Sequence, residues 1–135
     1  MPLKDRILSA ADIPREQMEV PEWGRVTVEV RGLSGECRAR LLSEAFTAAG
    51  KPDLVRIYPR LCIYGVFDPE TGERIFADGD EAAVNAKSGA VLERIAQAVM
   101  RLSGMTPEAL ELASKNLPAA SVDSTSNSPS GSAVQ

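Results

Sequence analysis

The sequence predicts an α+β fold: one mainly helical domain with a small antiparallel β-hairpin near its N-terminus and a disordered C-terminal tail. Three observations carry that expectation. Apolar residues recur at helical spacing through most of the chain between Gly35 and Leu117. One stretch, Arg25 to Arg31, alternates strictly instead, with Val26, Val28 and Val30 on one face and Arg25, Thr27, Glu29 and Arg31 on the other. The last residues, Ala119 to Gln135, are rich in Ser with Asn, Pro and Gly, and carry almost nothing to bury.

Residues Leu3 to Ala11 read as a short amphipathic helix, with Leu3, Ile7 and Leu8 on one face and Pro14 as the stop. Such a helix is too short to be stable in water, so it must dock or fray. Gln17 to Glu22 reads as the first strand of the hairpin, and Trp23-Gly24 as its turn. Pro21 cannot donate to a ladder, which makes this strand an edge. A lone hairpin is marginal, so its valine face must pack on helices.

Ser34 is placed to cap a helix running from Gly35 to Ala49, with Cys37, Leu41, Ala45 and Ala48 on its stripe and Leu42, Phe46 and Ala49 beside it. Gly50 and Pro52 end it. Asp53 caps the next run, Leu54 to Val66, read as helix rather than strand, in which Pro59 must kink or restart the pattern. Asp68 to Gly72 is a turn by composition, and Ile75-Phe76 a short extended anchor. Asp78 opens another helix over Gly79 to Lys87, with Glu81 as its capping-box partner. Gly89 to Ser103 is the strongest helix, its stripe Val91, Leu92, Ile95, Val99 and Leu102, stopped by Gly104. Thr106-Pro107-Glu108 then starts a last helix carrying Leu110, Ala113 and Leu117. The domain is therefore expected over residues 1–118, with a helix in 1–11, a hairpin in 17–31 and helices in 35–117; residues 119–135 form the tail.

At 135 residues the chain can bury a core without staples. Its net charge is −4 and its cations are dispersed, which argues against nucleic acid, since phosphate binding rests on clustered Lys and Arg. No segment nears the roughly 20 apolar residues needed to span a bilayer. The charged start Lys4-Asp5-Arg6 does not read as a signal peptide, so a soluble, intracellular protein with no membrane association is expected. The two cysteines, Cys37 and Cys62, leave a disulfide open but read first as buried thiols in a reducing compartment.

Chemistry is hard to find. There is no histidine, so a Ser-His or Cys-His nucleophile is impossible. Glycine-rich phosphate loops are absent. The acidic stretch Asp68, Glu70, Glu73, Asp78, Asp80 and Glu81 does not fit a calcium loop. That loop needs Gly at its sixth position and Glu at its twelfth; counted from Asp68, those hold Glu73 and Gly79. Turns and helix caps account better for these acids. The expectation is a binding protein: no catalytic residue, no metal, no cofactor.

Four blocks in order resemble one family. They are Val20-Pro21-Glu22-Trp23-Gly24, with the alternating valines and Arg31-Gly32-Leu33-Ser34-Gly35-Glu36-Cys37-Arg38-Ala39-Arg40; Leu54 to Tyr58-Pro59; Asp68-Pro69-Glu70-Thr71-Gly72-Glu73-Arg74-Ile75-Phe76; and Lys87-Ser88 through Leu92-Glu93-Arg94-Ile95 to Arg101-Leu102-Ser103-Gly104-Met105. Together, over Met1 to Leu117, the chain resembles the tail assembly chaperones of long-tailed, siphovirus-like and myovirus-like bacteriophages and prophages. The resemblance implies a non-catalytic role in virion morphogenesis: binding the tape measure protein in the host cell cytoplasm before the tail tube closes, and absence from the mature virion. It also implies a partnership with the tail tube protein through a longer form made by ribosomal frameshifting. The alternative is a structural tail component retained in the virion, a tube-proximal or completion protein. A metal-dependent hydrolase using the acids of Asp68 to Glu81, and a bacterial adaptor with no phage link, are the remaining rivals.

A tape measure protein exposes apolar helical faces that aggregate unless covered, and a groove accepting amphipathic helices would cover them. Candidate partner-binding residues are Leu3, Ile7, Leu8, Met18, Trp23, Met100 and Met105, against the competing reading that each packs internally. Met100 and Met105 suit the role best, because flexible thioethers adapt to varied partners. The short terminal helix suggests self-association by docking on a neighbouring subunit.

Overall fold

The computed structural model describes residues 2–105. The expected helix after Thr106 and the expected tail over 119–135 lie outside the described residues. The fold is α+β and mainly helical, with a small antiparallel sheet near the N-terminus. In chain order the elements are α1 (Leu3–Ser9), β1 (Arg15–Val20), β2 (Val26–Arg31), α2 (Gly35–Glu44), α3 (Leu54–Gly65), β3 (Val66–Phe67), α4 (Glu81–Asn85) and α5 (Gly89–Leu102). The sheet order is β1-β2-β3.

The alternation of β2 works as its pattern predicts. Val28 and Val30 are buried and face the helices, while Val26, on the same side, sits at the sheet's margin. Their partners across the ladder are Met18 for Val28, Glu16 for Val30 and Val20 for Val26. β1 is an edge strand, as expected, but it runs from Arg15 rather than Gln17 and ends at Val20. Pro21 opens a short 3-10 turn through Trp23 instead of extending the strand. Gly24 at φ +78° and Arg25 at φ +59° then reverse the chain, with both amides donating to Pro21 O.

The expected hairpin has a third strand. Val66 and Phe67 leave the end of α3 and pair with Val30 and Glu29. A helix was expected through Val66, because a short apolar run of this kind does not distinguish helix from strand. The turn Asp68 to Gly72 then folds back, and Arg74 bridges Phe67.

Three helices are shorter than their periodicity suggests. α1 stops at Ser9. α2 ends at Glu44, not Ala49, because Phe46 bridges Pro52 and Asp53 N–H takes up Ala45 O at 2.8 Å. That tight loop delivers Asp53 to cap α3 through Val55 N–H. α4 covers only Glu81–Asn85. Its capping-box partner is not Glu81: Asp80 accepts from Ala77 N–H at 2.8 Å, and Glu81 pairs with arginines of α3.

Pro59 neither restarts nor interrupts α3, which is continuous from Leu54 to Gly65. A proline there leaves the carbonyl four residues back without its helical donor. That carbonyl is Val55 O, and Asn85 Nδ2 of α4 donates to it at 2.8 Å.

One core joins the layers. α5 places Val91, Leu92, Ile95, Ala96, Ala98 and Val99 against α3 and the sheet, which contribute Ile57, Leu61, Ile63, Val28, Val30 and Val66. Two glycines allow the close approach. A Cβ on Gly32 would meet the Leu102 carbonyl oxygen at 2.6 Å, and one on Gly65 would meet Val99 Cγ2 at 2.6 Å. α5 ends as its glycine predicts: Gly104 sits at φ +69°, its amide bonds Arg101 O, and Met105 N–H bonds Met100 O at 2.8 Å.

Candidate partner-binding surface

The exposed apolar surface is concentrated where elements overhang the core. α1 buries none of its residues: Leu3 is 67%, Ile7 61% and Leu8 73% exposed. These are the apolar residues that the N-terminal periodicity puts on one face. Burying each would remove apolar area from water at about 25 cal/mol per Å², and among the described residues nothing buries them. Ser9 Oγ bonds Asp5 O at 2.7 Å and no side chain caps its N-terminus.

The other expected partner-binding residues fall elsewhere. Met18 and Met100 are half-buried at the core margin. Trp23 is also half-buried and meets Phe76 edge-on, with ring centroids 6.5 Å apart. Met105 is a correction: at 4% exposure it is part of the core, held there by the turn that closes α5. The hydrophobic contact that accompanies such a helix end is the physical reason. Leu3, Ile7 and Leu8 are thus exposed together, whereas the methionines are wholly or partly buried.

Residues not anticipated as surface are also exposed. Leu54 and Val55 open α3 at 57% and 67% exposure, although Leu54 shares helical spacing with the buried Ile57 and Leu61. The first turn of α3 projects past the elements that cover its later turns, and periodicity does not report where a covering element ends. Ile13, Val26 and Ile75 are partly exposed as well.

Between α1 and the body of the fold the chain crosses a cavity of about 240 Å³. Ala10 to Ile13 form one wall; Arg31, Cys37, Tyr64, Phe67 and Arg74 form the others. The Arg31 guanidinium lies 4.0 Å from the Phe67 ring centroid while its Nε donates to Glu29 at 2.7 Å. Arg74 Nε donates to Ile63 O, and its guanidinium sits 5.4 Å from the Tyr64 ring. Burial and a hydrogen bond to Glu44 push the Tyr64 hydroxyl pKa up. At this size the cavity is below the roughly 300–1,000 Å³ of a small-molecule site. It has room for a side chain or two.

Four of the six acids, Asp68, Asp78, Asp80 and Glu81, are committed to structure. Asp68 accepts from Glu70 N–H, Asp78 from Arg74, and Asp80 from Ala77 N–H. Glu81 receives Arg56 Nε at 3.2 Å and lies 2.9 Å from Arg60 Nε, although the latter is off the hydrogen-bond direction. Among the described residues no three His, Cys, Asp or Glu side chains gather closely enough to hold a metal. No helix among them is long and apolar enough to cross a membrane. Two exposed ion pairs tie α5 to the N-terminal half: Arg101 with Glu16 at 2.7 Å and Arg94 with Glu22 at 2.8 Å. The hydrogen bonds from these arginines hold both carboxyls below their ordinary range. Cys37 and Cys62 are both free thiols.

No protein-family model matches the chain, and no curated protein does. Among solved structures it is similar to the bacteriophage HK97 tail assembly chaperone. The TM-score is 0.57 at 22% identity, and the match covers 73% of this chain and 95% of that one. The two proteins share a fold. That likeness spans nearly the whole of the HK97 chaperone.

Proposed function

We propose that this protein is a phage tail assembly chaperone that binds the tape measure protein and acts by binding, without catalysis. The observation that carries the proposal is the fold shared with the HK97 tail assembly chaperone over 95% of that chain. The exposed face of α1 supports it, because an apolar helix face left uncovered by the described residues is what a helical client would cover. In this reading the protein works in the host cytoplasm, covers the client's apolar faces until the tube surrounds them, and is left out of the finished particle. A longer frameshifted form would bring the tube protein to the same complex.

The test is co-expression with the tape measure protein encoded beside it, followed by pull-down and measurement of the client's soluble fraction. The expected outcome is a complex and a soluble client. An insoluble client and no complex would end the proposal. Stoichiometric recovery of the chain from purified virions would favour a structural tail component instead.

A further inference from the structure

Among the described residues, the sheet order leaves one long side of β1 with no strand beside it. Which backbone groups line that side follows from the ladder. Gly32 N–H donates to Pro14 O at 3.0 Å, so these residues are a facing pair whose polar groups point at each other. Such pairs alternate along an antiparallel ladder. The register places Glu16 opposite Val30, Met18 opposite Val28 and Val20 opposite Val26 in the same class. The N–H and C=O groups of Arg15, Gln17 and Glu19 therefore point away from β2. Among the described residues no backbone group outside the sheet bonds to them.

An open edge of this kind is a template for another strand, and proteins usually blunt it with charge, proline or a bulge. β1 is charged, but its charges are self-complementary. Arg15 and Glu19 are of opposite sign, exposed, and equally spaced about the neutral, exposed Gln17. Arg15 is also weakly committed within its own chain: Glu29 lies 3.7 Å away and is shared with Arg31 at 2.7 Å.

We propose that the free edge of β1 binds a second copy of this chain, strand against antiparallel strand, about a twofold axis at Gln17. Arg15 of each copy then faces Glu19 of the other, and the two Gln17 side chains face each other. The edge groups meet as facing pairs and form roughly six backbone hydrogen bonds, two per pair. Opposite charges directly across a ladder are favourable. Neighbouring registers lose this match. A shift of two residues one way sets Glu19 against Ile13, and the other way sets Arg15 against Pro21, which has no N–H to give. Odd shifts oppose outward groups to inward ones. The half-buried Met18 gains Glu16 of the second copy as a cross-strand neighbour. The assembly is a closed dimer with one continuous sheet, β3-β2-β1-β1-β2-β3, and it leaves no free β1 edge to propagate. The inference does not rest on the chaperone reading.

Light scattering after size exclusion, on the full chain over a concentration series, tests it. The expected result is a dimer. Glu19→Lys opposes two cations across both ends of the interface and should weaken association by roughly tenfold, while Arg15→Glu combined with Glu19→Lys restores it. Gln17→Pro, at the axis, removes an edge N–H that β2 does not use and should give a folded monomer by circular dichroism. A monomeric wild type at every concentration overturns the proposal. So does a dimer indifferent to both Glu19→Lys and Gln17→Pro. A wild-type monomer whose edge amides become protected only when a client peptide is added would assign the edge to the client instead.

Discussion

Asn85 donates a hydrogen bond from its side-chain amide to the backbone carbonyl of Val55 at 2.8 Å, and that carbonyl is the one Pro59 leaves unserved. The proline, buried within α3, and the amide on α4 form one structural unit. Asn85→Ala should cost about 0.5–1.5 kcal/mol, the net worth of an ordinary hydrogen bond at a site water can reach. In the Pro59→Ala background the helix supplies its own donor, so the same change should be close to neutral. Urea unfolding of the four proteins of this double-mutant cycle measures the coupling. Equal costs in both backgrounds would show that Asn85 does not compensate for the proline.

Gly32 and Gly65 permit close contact in different ways. A methyl on Gly32 would meet the backbone carbonyl of Leu102, which cannot rotate aside, whereas a methyl on Gly65 would mainly meet the side chain of Val99. Overpacking of a tight interface costs about 1–3 kcal/mol. At Gly65, a helical position, alanine recovers up to about 1 kcal/mol of helix propensity. Gly32→Ala should therefore lower the midpoint of chemical unfolding more than Gly65→Ala, and the reverse order would contradict this account of how α5 sits against the sheet.

Much of this architecture is readable from residue types. The alternating valines specify β2 and its buried face; Ser34 and Asp53 cap the helices they precede; Gly104 stops α5. Features set by distant partners are not readable. Nothing local in Val66-Phe67 says that β2 will be waiting for them. The carbonyl that Pro59 leaves free within α3 is taken up by Asn85, 26 residues further on. The surface is the least legible. Leu3, Ile7 and Leu8 are apolar, helically spaced and exposed, while Met105, equally apolar, is drawn into the core by a turn whose hydrogen bonds only the folded chain reveals.

The two thiols should separate by reactivity. Burial pushes the Cys62 thiol up to about 12, whereas Cys37 is half-buried beside the cavity under residues 10–13. A thiol reagent at neutral pH should modify one cysteine of the native protein and both only on unfolding, since the thiolate is the reactive form. The linkage runs one way. From about 9, the ordinary thiol value, to about 12, the unfolded chain loses the Cys62 proton while the folded chain keeps it. Folding stability should fall with rising pH across that window. Denaturant melts of wild type and Cys62→Ala through the window isolate the contribution as the difference in slope, and parallel slopes would remove it.

The apolar candidates for client binding should divide into two classes. Met105→Ala opens space in the core and should cost about 2–5 kcal/mol of stability. Leu3→Ser, Ile7→Ser and Leu8→Ser, made together, touch a helix that buries nothing and should leave the unfolding free energy within about 0.5 kcal/mol of wild type. Their effect should appear only with the client, as loss of the soluble complex in co-expression. Melting curves and pull-downs on the same set of variants separate the outcomes. If the triple variant keeps its stability and still holds the client in solution, α1 is not the binding face, and Leu54 and Val55 become the next surface to change. If the triple variant unfolds readily, α1 packs on the body of the protein more than its exposure indicates, and its apolar face belongs to the fold rather than to a partner.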